Sequence, residues 1–271
     1  MGLLEGKVAL ISGTARGQGR AAALHFAGEG AIVVGGDVLA EQAAETLDLV
    51  RQQGGRGSSV ALDVTDEASV TSWIDAAVAE FERIDVLYNN AGAVRFAPID
   101  EQSFADWRFT LSAELDSVFL ASRQAWPHLC ASRGCIINIA STAGMTGSLT
   151  NARVAHTASK GGVIALTRQL AAEGARHGVR ANSISPGMIA TEGARETLLH
   201  PDHPMHAIAE AIPLGRLGAP ADVVGAAAFL ASEQASYITG ANLVIDGGWS
   251  VVLPGAPPGR RGVSEPSAFS A

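Results

Sequence analysis

The sequence predicts an α/β protein: a doubly wound parallel sheet with helices packed on both faces. Three observations carry this expectation. Short apolar runs alternate with helical stretches along the chain. The segment from Lys7 to Asp37 reads as one strand, turn, helix, strand unit of about thirty residues, the length of a single parallel crossover. The unusual residues, namely glycines, asparagines, an aspartate and a serine, fall where those apolar runs stop, which in such a sheet is where ligands bind.

The elements follow in order. Val8-Ala9-Leu10-Ile11 is short and wholly apolar, as a strand buried on both faces must be. Residues 12–19 form a glycine-rich turn, residues 21–27 a helix ending at Gly28, and residues 31–36 a second apolar run that stops at Asp37. A polar helix over 41–52 closes at Gly54-Gly55, and residues 58–64 form a third strand ending in Asp63-Val64. Asp66 supplies an N-cap for a helix over 68–81. The fourth strand, 84–88, runs into Asn89-Asn90-Ala91-Gly92, and a long helical stretch covers 103–129. The fifth strand, 135–140, ends at Ser141, and the helix after it contains residues 156–176. The sixth strand, 180–185, ends at Pro186-Gly187; a helix over 219–230 and a seventh strand over 241–246 complete the pattern.

Composition bounds the function. The 271 residues suit one α/β domain over 1–252, and the Pro-, Gly- and Ser-rich stretch 253–271 reads as a flexible tail. A net charge of −8 argues against a nucleic-acid surface. No apolar run approaches the roughly eighteen residues that a membrane span needs. The N-terminal residues lack the shape of a signal peptide, and Gly6 stands where an acylation motif at Gly2 needs Ser or Thr. Two cysteines, Cys130 and Cys135, fit a reduced, cytoplasmic protein better than a disulfide scaffold.

The first unit also carries chemistry. Its glycines let the backbone turn sharply and approach a bulky anion, and the helix that follows aims free N–H groups and its positive dipole end at the same place. That combination suits a pyrophosphate. Asp37, eighteen residues after Gly19, ends the second strand, where a carboxylate accepts from the hydroxyls of an adenosine ribose and repels a 2′-phosphate. The unit therefore favours NAD over NADP. Arg16 is the contrary note, because a base beside the turn tolerates extra phosphate. Asp37 outranks it because its position is tied directly to the ribose.

Seven motifs together resemble the classical short-chain dehydrogenase/reductase family along residues 5–250. They are Gly13-x-x-x-Gly17-x-Gly19, Asp63-Val64, Asn89-Asn90-Ala91-Gly92, Asn138-Ile139-Ala140-Ser141, Ser159-Lys160-Gly161, Pro186-Gly187 and Asp246-Gly247-Gly248. The resemblance implies a seven-stranded Rossmann-like sheet in three α/β/α layers, an NAD(H)-dependent oxidoreductase acting on a small molecule, and a homotetramer. It implies cofactor contacts from Gly13, Arg16, Gln18, Gly19, Asp37, Lys160, Pro186 and Gly187. It further implies that Asp63 and Val64 flank the adenine, that Asn90 and Gly92 line the adenosine ribose side, and that Ile189 and Thr191 meet the nicotinamide carboxamide.

The family's catalytic set is Asn, Ser, Tyr and Lys, with Tyr and Lys four residues apart. Ser141 and Lys160 match; His156 stands at the Tyr place and Glu114 at the Asn place. Residues four apart share a helix face, so His156 and Lys160 can serve one site. An imidazole already titrates near neutrality, which suits general acid/base work. The expectation is that His156 exchanges the proton, Ser141 holds the substrate oxygen, Lys160 binds the nicotinamide ribose, and Glu114 pairs with Lys160. The alternatives are a protein that binds NAD(H) without redox turnover, or one that uses the pocket for C=C reduction or isomerisation. His200, His203 and His206 recur every third residue, but Pro201 and Pro204 break regular presentation, so the stretch reads as a mobile lid and no metal is expected. Met145, Leu149, Leu198 and Met205 lie in loops facing the substrate and suggest that it is partly apolar.

Overall fold

A strand covered on both faces sends alternate side chains into two different cores, and the first strand does so. In the computed structural model, which describes residues 2–252, Val8–Ser12 (β1) is buried at every position. Ala9 and Ile11 pack with Phe26, Val33 and Val223 on one face, while Val8 and Leu10 pack with Trp73, Leu87 and Leu129 on the other. The expected flexible tail, 253–271, lies outside the described residues.

The remaining strands are Ile32–Asp37 (β2), Arg56–Ala61 (β3), Val86–Asn89 (β4), Cys135–Ile139 (β5), Arg180–Pro186 (β6) and Asn242–Ile245 (β7). Every pairing is parallel, in the order β3-β2-β1-β4-β5-β6-β7, which is the doubly wound sheet of seven strands. The order reverses at β1 and β4, so their carboxyl ends flank the crevice where such sheets bind ligands.

Helices Gly17–Gly28 (α1), Ala40–Gln52 (α2), Glu67–Phe81 (α3), Phe104–Leu111 (α4), Ser117–Ser132 (α5), Val154–Gly174 (α6), Glu192–Glu196 (α7) and Pro220–Ala231 (α8) complete the described chain. Asp66 caps α3 as its sequence position suggests, accepting from Ser69 N at 3.0 Å.

Three departures have physical causes. β3 ends at Ala61, so Asp63 and Val64 lie beyond it; Asp63 Oδ1 accepts from Thr65 N at 2.9 Å and turns the chain out of the sheet. The stretch 103–129 is helical but not uniform: a π-turn over Ser112–Asp116 separates α4 from α5. The short α7 forms where no apolar period announces a helix, with Thr191 as its cap. Among the described residues, no helix is long and apolar enough to cross a membrane.

Candidate active site

The glycine-rich turn is held by contacts that leave no room for side chains. A Cβ added at Gly19 would lie 1.8 Å from the Gly13 carbonyl oxygen. Gly13 has φ +79°, and a Cβ there would meet Asn90 Nδ2 at 2.8 Å. Asn90 secures the turn from the end of β4: its Nδ2 donates to Ser12 O at 3.0 Å, and Ser12 Oγ accepts from Asn90 N and Ala91 N at 3.1 Å each.

Asp37 is brought to the same turn. Its Oδ2 accepts from Ala15 N and its Oδ1 from Leu39 N, both at 3.0 Å. The N-terminus of α1 has no side-chain cap and no acidic residue in its first turn, so its donors remain for an anion. Gln18 Oε1 is buried without a partner among the described residues. These features fit a dinucleotide: a backbone cradle that a Cβ would fill, a free helix terminus and a carboxylate at the end of β2. Arg16 reaches the other way, with Nη1 3.8 Å from Glu196 Oε2 on α7.

The end of β6 closes on this turn. Gly187 follows Pro186 where a Cβ would come 2.6 Å from Asp246 Cβ, Ile189 is buried, and Thr191 faces Gly17. Thr191 Oγ1 accepts from Ala194 N at 3.2 Å, which sets the start of α7. Gly92 sits beside Glu114, whose Cγ is 3.5 Å from where its Cβ would be.

The second half of the site is built on α6. His156 Nδ1 lies 2.8 Å and 2.9 Å from the two carboxylate oxygens of Glu114. Ser159 Oγ lies 2.5 Å from Glu114 Oε2 and 2.9 Å from His156 O. Its single proton goes to the carboxylate, the stronger acceptor. Lys160 Nζ donates to Ile139 O at 2.9 Å and stands 3.7 Å from Glu114 Oε1. The expected Glu114–Lys160 pairing is therefore present as a longer ion pair, while the closer partners of the carboxylate are His156 and Ser159.

Glu114 is buried, with 4% of its surface exposed. Burial is the largest single influence and pushes its carboxyl up. The Lys160 charge and the bonds from His156 and Ser159 together outweigh it, so the group sits below the usual carboxylate range. An ionised Glu114 is acceptor-only, so His156 donates to it through Nδ1–H, and Nε2 is the ring nitrogen left for a substrate. Phe96 packs edge-on to the imidazole, with ring centroids 5.8 Å apart. Ser141 ends β5 with Oγ accepting from Ala143 N at 3.1 Å, and the backbone at Gly144 packs directly on Lys160. Ser141 is thereby drawn toward the base of α6.

Comparison with known proteins decides the family. Residues 13–250 match the family model described as enoyl-(acyl carrier protein) reductase. The chain is 42% identical over 252 residues to D-threitol dehydrogenase of Mycolicibacterium smegmatis, covering 92% of this chain and 94% of that one. It is 39% identical over 246 residues to meso-2,3-butanediol dehydrogenase of Serratia marcescens, covering 90% and 94%. The crystal structure of levodione reductase superposes with a TM-score of 0.87 at 32% identity, over 92% of this chain and all of that one. The chain belongs to the short-chain dehydrogenase/reductase family. These relatives are named as dehydrogenases and reductases, the enzyme class the motifs imply.

Within this family member, the site contains parts that motif reading passed over. Ser159 entered the sequence reading only as part of a motif, yet it is a direct partner of Glu114; its position three residues after His156 was the available signal. Asn89 and Asn138 form a buried chain, Asn89 Nδ2 to Asn138 Oδ1 at 2.8 Å and Asn138 Nδ2 to Thr167 Oγ1 at 2.9 Å, which ties β4, β5 and α6 beneath the site. The histidines of residues 200–206 engage local groups: His203 Nδ1 accepts from Met205 N at 3.1 Å, and His206 Nδ1 lies 3.0 Å from His203 O. Among the described residues, no group of three or more His, Cys, Asp or Glu side chains is arranged to hold a metal ion. Met205 is buried against Thr150, while Met145 and Leu149 are exposed.

Proposed function

We propose that the protein is an NAD(H)-dependent oxidoreductase that interconverts a secondary alcohol and a ketone on a small, partly apolar molecule, with His156 as acid/base in place of the family's Tyr. The observation that carries this reading is the 2.8 Å contact between His156 Nδ1 and the buried Glu114 carboxylate. It gives the ring one defined tautomer with a basic Nε2.

In the oxidative direction His156 Nε2 accepts the hydroxyl proton of the substrate; in the reductive direction it returns that proton to the carbonyl oxygen. Bound NAD supplies the hydride acceptor. Ser141 donates to the substrate oxygen. Glu114 holds the ring in its tautomer and stabilises the imidazolium that forms, the role a carboxylate plays beside histidine in hydrolytic triads. Its charge also offsets the repulsion between that imidazolium and Lys160, which binds the nicotinamide ribose. An imidazole reaches less far than a phenol, and where Nε2 falls short of the substrate oxygen one bridging water would pass the same proton between them.

Gly13, Gln18, Gly19 and the start of α1 hold the pyrophosphate. Asp63 and Val64 flank the adenine, Asn90 and Gly92 line its ribose side, and Pro186, Gly187, Ile189 and Thr191 hold the nicotinamide. The choice of NAD over NADP is supported by Asp37 at the ribose end and by Arg16 being engaged with Glu196. The proposal includes a homotetramer, supported by exposed Phe104, Phe109 and Phe119 on α4 and α5, and a cytoplasmic setting, supported by two free thiols.

The test is NADH formation across a panel of secondary alcohols, wild type against His156→Ala. The expected loss in kcat is at least about 10² with NADH binding retained. Equal rates remove His156 from the mechanism, and cofactor binding without turnover across alcohols and ketones leaves only a dinucleotide-binding protein.

A further inference from the structure

At the start of α6 lies a cavity of about 260 Å³. Ala97 and Ile99 line it from the segment after β4, Ser148 and Asn151 from the loop before α6, and Arg153 and Thr157 from the start of α6. Thr157 directly follows His156, and Ala97 directly follows Phe96, whose ring packs on the imidazole. The cavity thus shares the segment after β4 and the first turn of α6 with Phe96 and the acid/base.

Arg153 is the one charged residue in that lining. Its Nη2 braces the loop, donating to Thr146 O at 3.1 Å, Thr146 Oγ1 at 3.2 Å and Gly147 O at 3.2 Å. Its Nε is buried with no hydrogen-bond partner among the described residues. No ion pair among the described residues includes it. Burial lowers its pKa from the usual value with no acidic neighbour to offset the effect. A half-buried guanidinium without a counter-charge carries an uncompensated desolvation cost, and a bound carboxylate with its planar pair of oxygens would offset it.

We infer that Arg153 reads an anionic group on the substrate, so that the site takes short hydroxy acids and keto acids whose carboxylate docks at Arg153 while the reacting carbon lies at His156. This rests on the dehydrogenase reading above. Arg153 is the residue just before α6, three positions ahead of His156, and a substrate that spans the two would carry its reacting carbon two or three carbons from the carboxylate. Arg153 is a specificity-determining residue with a second, bracing duty.

The test compares 4-oxopentanoate with its neutral amide, 4-oxopentanamide, by calorimetric titration into the full chain saturated with NAD, where a ketone binds but has no hydride donor. The wild type is expected to bind the acid tighter by about tenfold or more, the size of a charge-assisted hydrogen bond. Arg153→Gln, which keeps a donor for the loop carbonyls, is expected to abolish that preference with the amide affinity unchanged within about twofold, and Arg153→Lys to retain part of it. Equal affinities in the wild type, equal weakening of both ligands in Arg153→Gln, or no binding of either probe overturns the inference. Adding NADH separates the two readings. Acid-selective binding with no NADH consumption keeps the anion site and removes the dehydrogenase; reduction of the amide as fast as the acid does the reverse.

Discussion

Glu114→Gln is the most informative single change, because it removes one charge and almost no volume. The carboxylate has His156 Nδ1 at 2.8 Å, Ser159 Oγ at 2.5 Å and Lys160 Nζ at 3.7 Å. A glutamine offers one acceptor and one donor in their place. If its amide N–H₂ faces His156, the ring must carry its proton on Nε2, and the base is lost; in hydrolytic triads the corresponding change costs about 10⁴ in kcat. Ser159 decides against that outcome. Its hydroxyl can donate to His156 O, 2.9 Å away, and accept from the amide, leaving the glutamine oxygen for Nδ1–H. The tautomer then survives, but the charge that balances an imidazolium beside Lys160 does not. A hydrogen bond to a charged group is worth about 1.5–3 kcal/mol, so kcat falls roughly tenfold to a hundredfold. Cofactor affinity separates this from a folding defect: NADH binding is retained while kcat drops. The assays are NADH titration and NADH formation. A kcat within about threefold of wild type would refute the dyad.

Two further outcomes follow from the same structure. Asp37→Asn keeps an acceptor for only one of the Ala15 and Leu39 amides and loses the charge that repels a 2′-phosphate, so the ratio of kcat/KM for NAD over NADP should fall about tenfold to a hundredfold; an unchanged ratio means Asp37 does not read the ribose. Because the Glu114 carboxyl is held below its ordinary value of 4.5, its contribution to stability is complete above that pH and is lost as pH falls through the depressed value. In urea unfolding the gap between wild type and Glu114→Gln should therefore be widest at neutral pH and close below about pH 4.5, whereas a gap independent of pH would show that Glu114 is not ionised in the native state.

The sheet was legible wherever burial left one choice. Val8-Ala9-Leu10-Ile11 has no polar face, so it fits only a strand with a core on each side, and β1 is that strand. β3 was misplaced toward its carboxyl end because it is an edge strand and none of its positions is buried. Its composition carries little pattern, and the turn made by Asp63 decides where pairing stops. The five residues of α7 have no period to read; their helix depends on Thr191, which the return of the chain places against Gly17. The π-turn at Ser112–Asp116 has no marker in residue type, because its extra residue per turn is a matter of packing rather than propensity.

Glu114, His156 and Lys160 were each singled out in the sequence, but the way they pair was not. Charge alone suggested Glu114 to Lys160, since opposite charges on adjacent elements attract without regard to geometry. The π-turn decides otherwise by carrying Glu114 onto the imidazole, 2.8 Å away, with the ammonium 3.7 Å away and already bonded to Ile139 O. The two departures from the family pattern, 42 residues apart, then explain each other. A phenol beside this buried carboxylate would be held protonated, because a neighbouring negative charge disfavours phenolate. A histidine beside the family's neutral Asn would have no charge to set its tautomer or balance its cation. Under the proposed mechanism either change alone would weaken the site, whereas together they would replace a phenol activated by a lysine with an imidazole activated by a carboxylate. In the proposed mechanism the ionised state of Glu114 is thus the condition for His156 to act as the base.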